Sequence, residues 1–268
     1  MGKPSRIHII AGGKYHDFDR ARLVLLQIMA EDESVRATCA SDFGDVHLLD
    51  GYNGVILYTC DMMPREAETA ALEAFVATGG RLFALHATNA PIDFTDGPPV
   101  IASGVHIPGL IEAPSADISP AWMNLLGSRF QAHLAGQPMM INIADNDHEL
   151  TRGLVDFEVV DEPYIATMIG KARVLMTARY KGDAPGYVLG HWDDDAPRPQ
   201  LYVKEHGAGS VLYMTLGHAC SRYDLQPMVD ETATVIGPWD DENYREVLRR
   251  GIRWIGAPRA ATAERHPR

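Results

Sequence analysis

Residues 7–13 read IHIIAGG, an apolar run that ends in two glycines. Such a run is typical of a short buried strand and the turn that follows it. The stretches Val55 to Cys60 and Arg81 to Ala87 share its composition, with apolar residues at successive rather than alternate positions. Successive apolar positions indicate strands that are buried on both faces, as in a parallel sheet.

Helical patterns lie between these strands. Asp17 and Asp19 are suitable N-caps for a helix from Ala21 to Ala30. Pro64 precedes a second helical pattern that stops at the pair Gly79-Gly80, and a further strand is predicted at residues 35–40. This alternation predicts an α/β fold with a mostly parallel sheet and helices on both faces.

The second half of the chain has a different pattern. Residues 90–119 are rich in Pro, Gly and Asp, and we expect this long loop to lie over a functional site as a lid. The later predicted elements are a helix-like segment at Trp122 to Phe130, strands at Met139 to Ala144, Phe157 to Val160, Val174 to Ala178 and Tyr187 to Trp192, a hairpin of Leu201 to Glu205 with Val211 to Leu216, and a helix at Glu242 to Ile255. We predict one domain over residues 1–256 and a flexible tail over 257–268.

Composition limits the classes of partner and the compartment. The formal net charge is -12, from 24 basic and 36 acidic residues, so the field of the protein repels nucleic acid and anionic membranes. The odd, widely spaced cysteines Cys39, Cys60 and Cys220 indicate free thiols in a reducing compartment. With no signal-peptide pattern and no apolar run of about 20 residues, we expect a cytoplasmic protein. A homo-oligomer is compatible with the sequence.

The candidate functional residues stand near the ends of predicted elements. The phosphate-binding loop, the dinucleotide fingerprint, the G-x-S-x-G elbow and the H-E-x-x-H zinc motif are all missing from the sequence. The polar side chains near element ends are His16, Asp17, His86, His133, Glu162, Tyr164 and His218. A single histidine in such a place is more often structural. Several at one edge of a sheet favour a binding site, because ligands bind beyond the carboxyl ends of parallel strands.

We predict that five of these residues surround one cavity: His16, His86, His133, Glu162 and His218. Asp17 and Tyr164 are expected nearby. We also predict that His86 is exposed on a sharp turn at the end of the fourth strand.

An ordered set of short motifs gives the sequence a family resemblance. The motifs are Gly12 to Asp17, Leu85-His86-Ala87, Leu125 to Gly127 with Phe130 and His133, His148 with Thr151 to Leu154, Asp161 to Tyr164, Gly207 to Val211, Leu216 to His218, and Arg250 to Trp254. In this order they resemble the ThuA-like family, named for trehalose utilisation, over about residues 6–256. The resemblance implies a flavodoxin-like sheet related to class I glutamine amidotransferases. Those enzymes carry a cysteine nucleophile on the elbow that His86 matches, so glutamine hydrolysis is disfavoured here.

The resemblance also implies carbohydrate catabolism, since family members often accompany dehydrogenases that form 3-keto sugars. A ketone at C3 acidifies the C2 proton, so a base can start elimination, hydrolysis or isomerisation. For such a small carbohydrate substrate the predicted catalytic residues are His86, Glu162, His16, Asp17 and Tyr164. A divalent metal such as zinc is a candidate cofactor, with His16, His133 and His218 as predicted ligands. A non-catalytic sugar-binding or regulatory module and a hydrolase of another kind remain alternatives.

Overall fold

The computed structural model describes residues 4–94, 100–102, 105–107, 111–112 and 118–259. Its helices are α1 Phe18–Met29, α2 Glu66–Ala77, α3 Pro120–Leu126 and α4 Glu242–Gly256. Its strands are β1 Ser5–Gly13, β2 Val35–Ala40, β3 Gly54–Cys60, β4 Arg81–Leu85, β5 Asp93–Phe94, β6 Val100–Ala102, β7 Val105–Ile107, β8 Ile111–Glu112, β9 Ser128–His133, β10 Gln137–Ile143, β11 Phe157–Asp161, β12 Tyr164–Met168, β13 Arg173–Ala178, β14 Gly182–Asp183, β15 His191–Trp192, β16 Arg198–His206 and β17 Gly209–Met214. Within these residues, no helix is both long and apolar enough to cross a membrane.

Nine strands form the central sheet, in the order β11-β10-β13-β16-β17-β4-β3-β1-β2. From β17 to β2 every neighbouring pair is parallel, and from β17 to β11 every neighbouring pair is antiparallel. The predicted α/β class is confirmed, and the sheet itself is mixed. The direction changes at the β16–β17 hairpin because a tight turn can join only antiparallel strands.

Helices cover both faces of the parallel half, as predicted. Alternate residues of one strand show the two faces: Ile56 packs in the core that includes α1 and α4, and Leu57 packs in the core that includes α2 and α3. Both side chains are fully buried. Burial of a side chain of this size stabilises the fold by about 1.5–3 kcal/mol, so strands buried on both faces contribute strongly.

Two predicted elements in the second half of the chain are wrong. The segment Trp122 to Phe130 is not one helix, because α3 ends at Leu126 and Gly127 adopts a φ of 86°, after which the chain continues as β9. In the first case Gly127 allows a reversal that apolar content alone does not reveal. Of the segment Tyr187 to Trp192 only the last two residues form a strand, β15, which pairs with β14. Tyr187 instead closes a turn, where its N–H donates to the Ala184 carbonyl at 3.0 Å.

Two further predictions fall partly outside the described residues. Half of the expected lid, residues 90–119, lies outside them, and so does most of the expected tail, residues 257–268. At the described start of the tail, Arg259 lies over the Phe75 ring, 4.5 Å from its centroid. The single-domain boundary at residue 256 stays a prediction.

The parallel half brings the ends of four strands to one edge of the sheet. In the register between β1 and β3, Gly13 is opposite Cys60, and in that between β4 and β17, Leu85 is opposite Met214. Gly13 has a φ of 121°, and a Cβ there would lie 2.0 Å from the Cys60 carbonyl oxygen, so only glycine fits at this position. The chain therefore turns sharply after β1 and passes over this edge.

Candidate functional site

His86 lies on a tight turn directly after β4. Its φ is 48°, in the left-handed region that side-chain-bearing residues rarely adopt, and the single 3-10 turn His86–Asn89 follows. The Thr88 hydroxyl donates to the Leu85 carbonyl at 2.8 Å, and the Tyr213 hydroxyl donates to the His86 carbonyl at 2.6 Å. The sharp turn is therefore confirmed.

The predicted exposure of His86 is wrong, because its side chain is 0% exposed. Its Nδ1 lies 2.8 Å from the Thr215 carbonyl oxygen, and its Nε2 lies 3.1 Å from the Tyr164 hydroxyl. A carbonyl can only accept, so Nδ1 carries the proton and Nε2 accepts from Tyr164. These two hydrogen bonds fix one neutral tautomer of His86 beneath the Tyr164 ring.

Two further imidazoles approach His86. The His16 ring centroid is 4.9 Å from that of His86 and 5.0 Å from that of His218, and the His86 and His218 centroids are 5.6 Å apart. His16 Nδ1 is 3.3 Å from the Lys14 carbonyl oxygen. His16 Nε2 and His218 Nδ1 are buried and have no hydrogen-bond partner in the described part of the chain. A buried polar atom without a partner costs about 1–3 kcal/mol.

Asp161, the last residue of β11, connects the two sides of the site. Its carboxyl group is buried and accepts three backbone N–H bonds, from Glu162 at 2.8 Å, from Gly217 at 2.6 Å and from His218 at 3.0 Å. One side chain therefore fixes the backbone of both Glu162 and His218.

Glu162 lies between His218 and His133. Its Oε2 is 3.2 Å from His218 Nδ1 and 3.8 Å from His86 Nε2, and its Oε1 is 3.6 Å from His133 Nδ1. His133 reaches this position from β9, where it is paired in register with Tyr164 of β12. Since His133 Nδ1 donates to the Leu134 carbonyl at 2.9 Å, its approach to Glu162 is a contact and not a hydrogen bond.

A cavity of about 340 Å³ lies beside this cluster of side chains. Its polar lining comes from His16, His133, Glu162, Tyr164 and His218. Among the lining residues that the structure describes, Glu162 is the only acidic one. The remaining wall is largely apolar and aromatic, with Tyr15, Phe130 and Tyr187, and with Ile92 and Phe94 at the start of the expected lid.

Burial sets the charge state of the site. It raises the pKa of Glu162 to about 8 and lowers the pKa of His16 to about 4. It also lowers the pKa of His218 and, together with the nearby charges of His16 and His218, holds the pKa of His86 well below its usual range. The three central imidazoles are therefore neutral near pH 7 and keep a lone pair to offer.

The cysteines do not supply a thiolate to this site. All three are free, Cys39 is exposed, and Cys60 and Cys220 line the cavity. Burial raises the pKa of the Cys60 thiol well above its usual value and that of Cys220 to about 12. The elbow that would carry a nucleophilic cysteine in an amidotransferase carries His86 instead, so thiolate acyl transfer has no group to perform it at this turn.

His86 lies beside the other imidazoles but does not line the cavity, contrary to the prediction, because its side chain is fully covered. The structure brings the remaining predicted site residues together, with one exception, Asp17. That carboxylate accepts from the Arg20 N–H at 2.9 Å as the N-cap of α1, and Asp17 does not line the cavity. The sequence reasoning missed Tyr187 and Tyr15 in the wall and Asp161 as the connecting group. Tyr15 and Asp161 belong to motifs that carry the family resemblance, whereas Tyr187 comes from the segment wrongly predicted as a strand.

The comparisons with known proteins agree with this architecture. A family model described as "ThuA: Trehalose utilisation" matches residues 99–236, just over half of the 268 residues. A search of curated proteins finds no significant match.

Solved structures with similar folds include two ThuA-like proteins. That of Parabacteroides merdae is 19% identical, with a TM-score of 0.63 over 97% of this chain and 92% of that one. That of Bacteroides uniformis is 17% identical, with a TM-score of 0.63 over 95% and 93%. A cytoplasmic protein of Salmonella typhimurium is 12% identical, with a TM-score of 0.54 over 93% and 99%. At these identities the likeness shows the fold alone.

Proposed function

The chain belongs to the ThuA family, described by trehalose utilisation, and from that premise we propose that it is an enzyme of carbohydrate catabolism acting on 3-keto sugars or glycosides. The family description supports the carbohydrate class. The reaction and the oxidised substrate are argued from the chemistry of the site.

One observation carries the proposal: a single carboxylate, Glu162, faces the cavity between imidazoles and a phenol. Glu162 Oε2 and Oε1 lie 3.2–3.8 Å from ring nitrogens of His218, His86 and His133. A pure binding module for hydroxyl groups does not need one buried acid surrounded by three imidazoles. A proton-transfer enzyme does, because the group that takes up and returns the proton needs fixed partners and a pKa near the working pH, and burial raises the pKa of Glu162 to about 8.

The cavity suits a small polar ligand with apolar faces. Its volume of about 340 Å³ is near the lower end of the range for small-molecule sites, about 300–1,000 Å³. The rings of Tyr187 and Phe130 offer flat surfaces for the C–H face of a pyranose. Glu162 and Tyr164 would then face the ring carbons that react.

In the proposed reaction, Glu162 removes the proton from C2, next to the C3 ketone. The Tyr164 hydroxyl, which donates to His86 Nε2 at 3.1 Å, turns to the C3 oxygen as negative charge develops there. The enolate then re-forms the C3 carbonyl and a C1–C2 double bond while the C1–O bond breaks. Glu162 returns its proton to the departing oxygen, so a glycoside yields an enone and an alcohol.

Two further reactions lead to other products, one from the enone and one from the enolate. Addition of water to C1 of the enone gives overall hydrolysis, and protonation at C3 instead of loss of the C1 substituent gives isomerisation. Both begin with the same removal of the C2 proton.

The test is incubation of the purified protein with a 3-keto-glycoside and with the unoxidised parent glycoside, followed by NMR of the products. We expect conversion of the keto compound and no conversion of the parent, whose C2 proton is not acidic. Binding of the keto compound without any product would favour the sugar-binding module. Turnover of the parent glycoside at a similar rate would favour a hydrolase of another kind. Either result would overturn the proposal.

A further inference from the structure

The three central imidazoles form a cluster that the proposed proton transfer does not fully use. His16, His86 and His218 each offer one ring nitrogen, and these nitrogens lie within 4.8 Å of one another. The residues come from three separate segments, after β1, β4 and β17, so their approach is not a consequence of local sequence. His133, which the sequence suggested as a ligand, is not in this group.

Backbone carbonyls direct the lone pairs of two of these rings. Nδ1 of His86 donates to the Thr215 carbonyl and Nδ1 of His16 faces the Lys14 carbonyl, which leaves Nε2 of both rings as the acceptor. A carbonyl on the far nitrogen is the usual support of a metal-bound histidine. His16 Nε2 is also buried without a hydrogen-bond partner among the described residues, and His218 Nδ1 has the 3.2 Å approach of Glu162 Oε2 but no hydrogen bond.

From these contacts we infer that His16, His86 and His218 bind a divalent transition metal, zinc above all, at the base of the cavity. Neutral imidazoles prefer such ions to calcium or magnesium, which take oxygen ligands. A tetrahedral zinc with bonds of about 2.0–2.1 Å places its ligand nitrogens about 3.3 Å apart, so small side-chain rotations from the observed spacing suffice.

The surroundings fit a metal with one open position. Glu162 lies beside the cluster, with Oε2 3.2 Å from His218 Nδ1, and it faces the cavity. A substrate oxygen that enters the cavity can take the fourth position, while Glu162 stays free as the base. The inference deepens the proposed function, because the metal would stabilise the enolate, but the binding itself does not depend on the substrate.

The Tyr164 hydroxyl competes with a metal for His86. This hydroxyl donates to His86 Nε2 in this structure, the same lone pair that a metal would take. Metal binding therefore requires the hydroxyl to turn away, and a variant that lacks it should bind the metal at least as tightly. A fall in zinc affinity in that variant would contradict a metal bound at His86 Nε2.

The experiment uses the full chain, stripped of metal with a chelator and then titrated with Zn²⁺ or Co²⁺ alone. Calorimetry should show one ion per chain, and Co²⁺ should give the visible absorption of a tetrahedral site. In His218→Gln and His16→Ala, the affinity should fall at least about 100-fold. In Tyr164→Phe it should stay the same or rise, and in His133→Ala, the matched cavity histidine, it should change by less than about threefold. Circular dichroism checks that each variant is folded.

Three results would overturn the metal site: no stoichiometric binding to the wild-type chain, unchanged binding in both ligand variants, or an equal loss in His133→Ala. The proposed function fails separately, on the substrate test. A metal-free protein that still converts the keto-glycoside at the full rate would exclude a role of the metal in the reaction and keep the proposed reaction. A protein that binds zinc but converts no keto-glycoside would keep the metal site and overturn the proposed reaction.

Discussion

The two halves of the central sheet differ in burial and in what they contribute to the site. In the parallel half, all seven residues of β3 are buried, whereas in the antiparallel half the residues of β11 alternate between buried and exposed. The parallel half carries His16 and His86 on turns beyond its strands. The chain after the antiparallel strand β11 carries Glu162 and Tyr164.

The difference indicates that the parallel half holds side chains rigidly and that the chain after β11 supplies the reactive carboxyl group. His16 and His86 come from turns held by a core on both faces, which suits groups that must keep one tautomer and one orientation. Glu162 comes from a connection between β11 and the small β9–β12 sheet, at the surface of the cavity. His218 follows β17, the strand that the two halves share, and Asp161 joins it to Glu162.

The largest effect is expected from Glu162→Gln, which removes the proposed base and keeps its size. Turnover of a 3-keto-glycoside should fall about 10²–10⁴-fold, the usual contribution of a positioned general base. Glu158→Gln is the matched control, because Glu158 is an exposed residue of β11. If both variants keep full activity, the antiparallel half does not supply the base.

A large loss of stability is expected from Asp161→Ala, which removes the buried carboxyl group that accepts three backbone N–H bonds. At about 1–3 kcal/mol for each unsatisfied group, the free energy of unfolding should fall by about 3 kcal/mol or more. Urea denaturation measures the change. Asp156→Ala is the control, since Asp156 also accepts a backbone N–H, from Ile143 at 2.8 Å, but is exposed. Equal effects in the two variants would show that Asp161 does not join the halves.

A smaller effect on catalysis is expected from Tyr164→Phe, which keeps the ring beside His86 and removes the hydroxyl. The loss of one donor to the developing enolate oxygen should lower kcat about 100-fold. Tyr187→Phe, also in the cavity wall, should stay near the wild-type value. The comparison separates a hydroxyl that takes part in the reaction from an aromatic ring that only shapes the cavity, and equal rates in the two variants would exclude the first role.

The smallest effect is expected from Asp17→Ala, which removes the N-cap of α1. The stability should fall by about 1 kcal/mol, and activity per folded molecule should be unchanged. Thermal denaturation and the keto-glycoside assay measure the two quantities. A loss of activity larger than the loss of folded protein would return Asp17 to the catalytic groups.

The parallel half could be predicted from sequence because its signals are local. Apolar runs such as Val55 to Cys60 and the cap at Asp17 depend on neighbouring residues, and the structure has both close to their predicted places. It is also a general rule that ligands bind at the edge where parallel strands end. This rule predicted that His16, His86 and His218 lie close together, without knowledge of their contacts.

The rest depends on contacts between distant residues. Nothing local in the sequence indicates that β9 pairs with β12 and so sets His133 beside Tyr164, or that His86 is covered and not exposed. The imidazole cluster includes His86 and not His133, and this depends on distances between side chains from separate segments. The connecting role of Asp161 requires knowing where the backbone of Gly217 and His218 lies.

The most direct test of the proposed reaction follows the C2 proton itself. A 3-keto-glycoside is incubated in D₂O with the wild-type chain and with Glu162→Gln, and the C2 and C4 proton signals are recorded by NMR. The account predicts that the wild-type chain removes the C2 signal, by exchange or by product formation, while the C4 signal of the remaining substrate persists. It also predicts that the variant acts no faster than buffer. Loss of the C2 signal at the same rate in both proteins, or no loss with the wild-type chain, would contradict the account.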